Sequence, residues 1–347
     1  MILLQAVKVL FLAVLGFVVA FSFTPFVAKL ITRFRAAKQI RMTGETPIFS
    51  KLHAKKAGTP TMGGVIIWGT VLILGLIFAA LAFFFDGFWG YLNFVNRAET
   101  YLPLAAMIIA GILGLIDDIY GIMKIGPKGG GLRVSQKLVV YFLLAVVGAL
   151  WFYFRLDWDI LAIPFSEPIQ IGWLYIPLFI FVIVASAFSA NETDGLDGLA
   201  GGVLLFAFIA LTVVAFVLGR YHLAAFGGVT IGALLAFLWF NIYPARFFMG
   251  DTGSMSLGIT MGVIAMLTNT TLLLPLFAFI LVLESLSVIV QFASKRLRGK
   301  KIFLSTPIHH HFEAIGWPET KVTMRFWIIS AISATLGLVV FFLSQYL

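Results

Sequence analysis

Long apolar runs follow one another along most of this 347-residue chain. A helix needs about 20 apolar residues to cross the hydrocarbon core of a bilayer. Ten runs of about that length occur, at 4–28, 63–85, 101–117, 137–154, 173–190, 199–219, 222–240, 253–271, 273–294 and 323–346. The sequence therefore predicts an all-α polytopic membrane protein with about ten transmembrane helices, forming a single integral membrane domain over 1–347.

The composition agrees with a membrane protein. Hydrophobic residues make up 61% of the chain and charged residues 11%, whereas soluble domains are usually less than half apolar. There are no cysteines, which excludes disulfides and thiolate metal sites. The first run is too long for a signal peptide and lacks a small-residue cleavage site, so we interpret it as a retained span.

The basic residues lie between the runs and predict an orientation. The segments 29–62, 117–137, 241–252 and 295–325 hold 20 of the 24 Lys and Arg residues. By the positive-inside rule these segments are cytoplasmic, and both termini face outward. Orientation explains the net charge of +9, so nucleic acid is not expected as a partner. The outer segment 156–172 contains short apolar runs broken by Pro and predicts a small hairpin on the membrane.

Five polar motifs fall on the predicted cytoplasmic face. They are HAKKAGTPTMGG (53–64), GLIDDIYG (114–121), NETDGLDGLAGG (191–202), FNIYPARFFMGDTGS (240–254) and TPIHHHFEAIGW (306–317). They are far apart in sequence but confined to one side of the membrane. We therefore expect the cytoplasmic loops to line one active site.

The acids of these motifs have structural as well as functional interpretations. Asp117 and Asp118 end the third run, where they are either solvated interfacial residues or face a cavity or a partner. Asp194 and Asp197 are three residues apart and share a face if their loop is helical. Alternatively, they cap turns in a glycine-rich loop.

Asp251 precedes an apolar helix within the motif Gly-Asp-Thr-Gly-Ser. A helix N-terminus attracts phosphate through its backbone N–H groups, but a carboxylate repels phosphate unless a cation lies between them. This conflict indicates a divalent metal with oxygen ligands, as is typical of Mg²⁺. The alternative is that Asp251 is an N-cap residue.

Three of the five histidines, His309, His310 and His311, are adjacent. Neighbouring side chains point about 100° apart on a helix and to opposite faces on a strand, so a three-histidine zinc site is not expected. Two of the rings suit diphosphate binding or charge stabilisation near neutral pH, while the third orients them or packs. The alternative is that all three are packing or solvated loop residues.

With these motifs in order, the whole chain resembles the phospho-N-acetylmuramoyl-pentapeptide transferases, a family of polyprenyl-phosphate N-acetylhexosamine-1-phosphate transferases. Asp-Asp, Asn-x-x-Asp-Gly-x-Asp-Gly and Gly-Asp-x-Gly-Ser are typical of the wider superfamily. GTPTMGG (58–64), FFMGDTGS (247–254) and TPIHHHFEAIGW (306–317) resemble the muramoyl-pentapeptide branch.

The resemblance implies a reaction and its partners. Phospho-MurNAc-pentapeptide passes from UDP-MurNAc-pentapeptide to undecaprenyl phosphate, giving lipid I and UMP, with Mg²⁺ as cofactor. The expected setting is the bilayer of the bacterial cytoplasmic membrane, and a homodimer is expected from the family.

The resemblance also implies residue roles. The catalytic set is Asp117, Asp118, Asp251, His309 and His310, and the metal ligands are Asp251 and Asn191. The substrate-binding set is Lys56, Thr61, Asp194, Asp197, Asn241, Phe248 and His311, with Phe248 stacking on uracil.

Two positions depart from the family, and two other functions compete. Members carry Lys where this chain has Gly121, and Asn where it has Phe188. The charge that binds the lipid phosphate is therefore expected from a nearby basic residue, the candidates being Lys124, Lys128, Arg133 and Lys137. One alternative function is a GlcNAc-1-phosphate transferase. The other is a transporter, which is disfavoured because Glu284 is the only acid deep within a predicted span.

Overall fold

The computed structural model describes residues 1–33, 56, 58–85, 87–95, 97–126 and 130–346, and this part of the chain is almost entirely helical. The helices, in chain order, are α1 (Ile2–Arg33), α2 (Val65–Phe84), α3 (Phe88–Leu92), α4 (Ala98–Ile122), α5 (Val134–Arg155), α6 (Tyr175–Thr193), α7 (Leu199–Val217), α8 (Tyr221–Asn241), α9 (Gly250–Leu267), α10 (Leu274–Phe277), α11 (Phe279–Arg298), α12 (Ile308–Ala314) and α13 (Glu319–Tyr346). The all-α polytopic class predicted from the apolar runs is confirmed.

Eight helices of the described residues are long and apolar enough to cross a membrane. They cover Ile2–Arg33, Val65–Phe84, Glu99–Ile122, Val134–Arg155, Gly172–Thr193, Leu199–Val217, Tyr221–Asn241 and Glu319–Tyr346. The predicted runs 253–271 and 273–294 correspond to α9 and to α10 with α11, which are more polar. The count of ten spans and the outward termini therefore stay predictions, and much of the basic segment 29–62 lies outside the described residues.

Helix α9 forms the centre of the fold. Every residue of α9 except Asp251 is buried, and the helix packs closely against α4 and α6. Its many Gly, Ser and Ala residues allow this close approach. By contrast, α1 exposes a row of large apolar side chains, as expected of a helix that faces lipid. The only partly buried residue of the central helix is thus a carboxylate at its N-terminus.

Helix α4 is longer than the predicted run 101–117, because it continues to Ile122. Asp117 and Asp118 therefore lie inside the helix, more than one turn before its end. Both side chains are buried, at 2% and 6% exposure. The interpretation of this pair as solvated interfacial residues is consequently wrong.

The segment 156–172 forms the predicted hairpin. Strands β1 (Ile160–Leu161) and β2 (Ile169–Gln170) pair antiparallel, with Ile160 opposite Gln170. A 3₁₀ turn, Gly172–Leu174, leads from it into α6.

Candidate active site

Three aspartates from two helices meet at the N-terminus of α9, and we name Asp117, Asp118 and Asp251 the carboxylate cluster. The Nζ atom of Lys137, in the first turn of α5, lies 2.9 Å from Asp117 Oδ2 and 2.8 Å from Asp251 Oδ2. The ammonium thus bridges two carboxylates that would otherwise repel each other. Lys137 is 15% exposed, so water screens these ion pairs only weakly.

Asp118, which lies in α4, accepts a hydrogen bond from a backbone N–H at the N-terminus of α9. Its Oδ2 accepts the backbone N–H of Thr252 at 3.1 Å, and its Oδ1 lies 3.4 Å from the hydroxyl of Thr61. The first N–H groups of a helix have no partner within the helix. The capping role considered for Asp251 thus belongs in part to Asp118, while Asp251 contacts side chains from α5 and α6.

Gly250 allows the cluster to close around the start of α9. It has a φ of +74°, a conformation that residues with a Cβ adopt at a cost. A Cβ at this position would lie 2.5 Å from Asp118 Oδ2 and 2.6 Å from Thr61 Oγ1. The motif Gly-Asp therefore places backbone where a side chain has no room.

The oxygen atoms available as ligands around Asp251 are of the kind that Mg²⁺ uses. The amide of Asn191, near the end of α6, donates to Asp251 Oδ1 and, at 3.0 Å, to Ser254 Oγ. Within the described ranges, no three His, Cys, Asp or Glu side chains are arranged to hold a metal. Mg²⁺ commonly uses one or two carboxylates together with substrate phosphates and water. Asp251 with Asp117 or Asn191 supplies that kind of partial ligand set.

The loop 194–198 connects the cluster to the rest of the site. It is a turn, so the shared helical face considered for Asp194 and Asp197 does not form. Asp194 Oδ2 accepts the N–H of Gly250 at 3.0 Å. Asp197 Oδ2 accepts the N–H of Ala245 at 3.0 Å, and the N–H of Gly198 donates to Asn241 Oδ1 at 3.1 Å. The two aspartates thus hold different segments.

Lys56 is held by acids from two distant parts of the chain. Its Nζ donates to Asp197 Oδ1 at 2.6 Å and also to Glu319 Oε1. The same Glu319 oxygen accepts the N–H of Asp197 at 2.6 Å. The Lys56 ammonium lies 5.8 Å from the ring centre of Phe248, which is half-buried. A cation and an aromatic ring therefore stand together beside the 194–198 loop.

The three histidines have three different environments. His309 is fully buried and its Nδ1 lies 2.9 Å from Glu284 Oε2. Burial alone lowers the pKa of the His309 imidazole, but the charge and hydrogen bond of Glu284 outweigh it, so this pKa is raised above its usual value of 6.5. His310 Nδ1 lies 2.7 Å from Glu313 Oε2, whereas His311 Nδ1 accepts the N–H of Leu304 at 3.2 Å.

The basic residues proposed to replace the family lysine differ in position, and of those that the structure describes Lys137 is the one that contacts the carboxylate cluster. Lys137 lies in the carboxylate cluster. Arg133 is exposed, and its backbone N–H donates to Gln136 Oε1 at 2.8 Å as α5 begins. Lys124 is exposed, and Lys128 lies outside the described residues.

Three acids of this region were not predicted as site residues. Glu284 carried the strongest signal, because an ionisable residue within an apolar run is by default a functional candidate. Glu313 is three residues after His310, a spacing that brings helical side chains together. Glu319 gave no comparable signal, since nothing local to it indicates Lys56 as its partner.

Comparisons with known proteins agree with these motifs. Residues 100–269 match the model of glycosyl transferase family 4. Residues 56–67, which include Lys56 and Thr61, match signature 1 of phospho-N-acetylmuramoyl-pentapeptide-transferase.

Curated relatives with that name align along most of the chain. The Acetivibrio thermocellus protein is 37% identical over 332 residues, covering 94% of this chain and 93% of the relative. The Clostridium novyi protein is 38% identical over 326 residues, covering 93% of each. The Bacillus subtilis protein is 36% identical over 334 residues, covering 95% of this chain and 97% of the relative.

Proposed function

We propose, from the premise that this chain belongs to the phospho-N-acetylmuramoyl-pentapeptide-transferase family, that the carboxylate cluster is its catalytic centre. The protein is a multi-pass membrane protein of bacteria. It transfers phospho-MurNAc-pentapeptide from UDP-MurNAc-pentapeptide to undecaprenyl phosphate in peptidoglycan synthesis, and the products are lipid I and UMP. The observation that carries the proposal is that Asp117 and Asp251, from separate motifs, meet on the Lys137 ammonium.

The atoms of the reaction define what the site must do. An oxygen of undecaprenyl phosphate forms a bond to the phosphorus that carries the sugar. The bond from that phosphorus to the bridging oxygen breaks, and the electron pair leaves with UMP. Phosphoryl transfer depends mainly on positioning and charge stabilisation, which favours a direct displacement without a covalent enzyme intermediate.

Mg²⁺ is the proposed cofactor, with Asp251 and Asn191 as its protein ligands. When bound, it neutralises the charge of the diphosphate beside the carboxylates. Lys137 holds Asp117 and Asp251 at a fixed separation, and Asp118 fixes the start of α9, which carries Asp251. These contacts orient the ligands before substrate binds, so that little reorganisation is needed.

The second part of the proposal concerns UDP-MurNAc-pentapeptide. The ring of Phe248 provides a stacking surface for uracil, and Lys56 provides positive charge beside it. Asp194, Asp197 and Asn241 order the surrounding backbone, with Thr61 beside the cluster. His310, at 8% exposure, is nearer to solvent than the fully buried His309, and we assign it the contact with the diphosphate or sugar.

The membrane in which the protein lies, the side that its site faces and its oligomeric state are part of the same proposal. UDP-linked precursors are cytoplasmic, so the site faces the cytoplasm and the protein lies in the cytoplasmic membrane. A homodimer within the bilayer is proposed on the family expectation alone.

The decisive experiment is an assay of UMP release by purified protein in detergent. We expect UMP from undecaprenyl phosphate and UDP-MurNAc-pentapeptide when Mg²⁺ is present, and little or none with EDTA. UDP-GlcNAc should give little or no UMP. Equal use of UDP-GlcNAc would favour the GlcNAc-1-phosphate transferase, and no UMP from either donor would contradict the proposed function.

Glu319→Gln tests the site around Lys56. The substitution removes the negative charge of Glu319, whose oxygen contacts both the Lys56 ammonium and the backbone N–H of Asp197. The Lys56 ammonium should then lose its fixed position beside Phe248. We expect KM for UDP-MurNAc-pentapeptide to rise about tenfold, the scale of one charge-assisted hydrogen bond, while kcat changes less. The control is Glu167→Gln in the exposed outer hairpin. An unchanged KM would mean that Glu319 does not organise this part of the site.

A further inference from the structure

A buried carboxylate–imidazole pair joins α11 to α12 beside the 194–198 loop. Glu284 and His309 are both 0% exposed. Glu284 Oε2 lies 2.9 Å from His309 Nδ1 and 3.4 Å from the backbone N of His309. These two contacts to one oxygen fix both the position of the residue and the orientation of its ring.

The far side of the His309 ring contacts the 194–198 loop. A Cβ built on Gly195 would lie 2.2 Å from His309 Nε2 and 2.8 Å from His309 Cε1. The ring edge therefore occupies the space that a side chain at position 195 would need. Because the ring orientation is set by Glu284, the carboxylate acts on this loop through the imidazole.

The loop transmits this position to the catalytic centre through short contacts. Asp194, next to Gly195, accepts the N–H of Gly250 at 3.0 Å. Gly250 immediately precedes Asp251, whose carboxylate pairs with Lys137. The path from the His309 ring to Asp251 therefore consists of the ring contact with Gly195, one hydrogen bond and two peptide units.

The pair leaves polar atoms without partners. Within the part of the chain that the structure describes, Glu284 Oε1 and His309 Nε2 are buried without a hydrogen bond. Such groups cost their desolvation free energy, and apolar side chains of similar volume would often fold as well or better. Packing alone thus does not account for an acid and an imidazole here.

We infer that Glu284 is a positioning residue of the transfer reaction, which holds His309 against Gly195 and thereby sets the 194–198 loop for catalysis. The inference rests on the proposed function and extends it to an acid outside the carboxylate cluster. Glu284 touches neither substrate nor metal in this assignment.

The first test is the kinetics of Glu284→Gln with both substrates. The amide keeps the size of the side chain but removes its charge. We expect kcat/KM for UDP-MurNAc-pentapeptide to fall about tenfold, equal to about 1.4 kcal/mol. KM for undecaprenyl phosphate should stay within about twofold of the wild-type value. Glu167→Gln is the matched control for an acid-to-amide change and should leave both values unaltered.

The second test asks whether Glu284 acts through His309. His309→Gln alone should lose at least as much activity as Glu284→Gln. The double variant should be no worse than His309→Gln, because residues in one contact chain are not additive. Additive losses would overturn the inference, as would wild-type kinetics in Glu284→Gln.

Gly195→Ala leaves the Glu284 and His309 side chains unaltered in sequence. It is the second variant to measure if Glu284→Gln does not fold. Its Cβ should push the His309 ring away and reproduce the selective loss with UDP-MurNAc-pentapeptide. Gly90→Ala is the control, since a Cβ there would meet nothing within 4 Å. If folded Gly195→Ala behaves as wild type, the inference is wrong.

The wild-type assay separates this inference from the proposed function. If the wild type releases UMP and both Glu284→Gln and Gly195→Ala are folded and fully active, only the role of Glu284 fails. If the wild type releases no UMP from any UDP-sugar, the proposed function fails and the inference falls with it.

Discussion

Asp251→Asn is expected to lower kcat by about 100-fold or more, the scale of losing a major electrostatic stabiliser. Asp251 is the one residue of α9 that is not fully buried. It contacts the Lys137 ammonium and the Asn191 amide. An Asn at this position keeps the size and one oxygen but removes the charge that pairs with Lys137 and would bind Mg²⁺.

The measurement is UMP release at saturating substrates over a series of Mg²⁺ concentrations. The variant should need more Mg²⁺ and remain slow at saturation, while its thermal midpoint stays close to that of the wild type. Asp159→Asn in the hairpin of β1 and β2 is the matched control, because Asp159 Oδ2 accepts only the exposed Gln170 amide among its described side-chain contacts. Near-normal turnover at limiting Mg²⁺ would exclude Asp251 as a metal ligand.

Lys137→Met is expected to have a comparable effect, a fall in kcat of about 100-fold. Removing the ammonium leaves Asp117 and Asp251 facing each other without the cation that both contact. Breaking one side of a buried ion pair is costly because the remaining charge is uncompensated. The two carboxylates should then separate or share a proton, and either change disrupts the site.

The kinetic pattern distinguishes two roles for Lys137. If the residue organises the carboxylates, kcat falls and the Mg²⁺ requirement changes. If it binds the lipid phosphate directly, KM for undecaprenyl phosphate rises instead. Lys295→Met, at an exposed position in the last turn of α11, is the control for losing a basic residue. Wild-type kinetics in Lys137→Met would remove the residue from the mechanism.

The sequence alone was enough for the class of protein and for the convergence of its polar motifs. Apolar length is a local property, so the predicted runs locate the helices to within several residues. The span 101–117 was too short because Ile119, Tyr120 and Ile122 continue the helix beyond the two acids. Convergence of the motifs was predicted from the membrane, because lipid confines loops to one face or the other.

The tertiary structure decided which side chains meet. Sequence offered Lys124, Lys128, Arg133 and Lys137 as equivalent cations. Only the packing of α5 against α6, which brings Lys137 to Asp117 and Asp251, selects Lys137 for the cluster. Similarly, a cap of α9 was the alternative role for Asp251, but Asp118 accepts the N–H of Thr252 because α4 runs beside that helix.

The partners that sequence could not identify are separated along the chain. Lys56 and Glu319 are 263 residues apart, and Glu284 and His309 are 25 apart. Helix formation and membrane insertion depend on neighbouring residues and on the polarity of each segment. Ion pairs depend on distances of a few ångströms between side chains, and those distances exist only after the helices have packed.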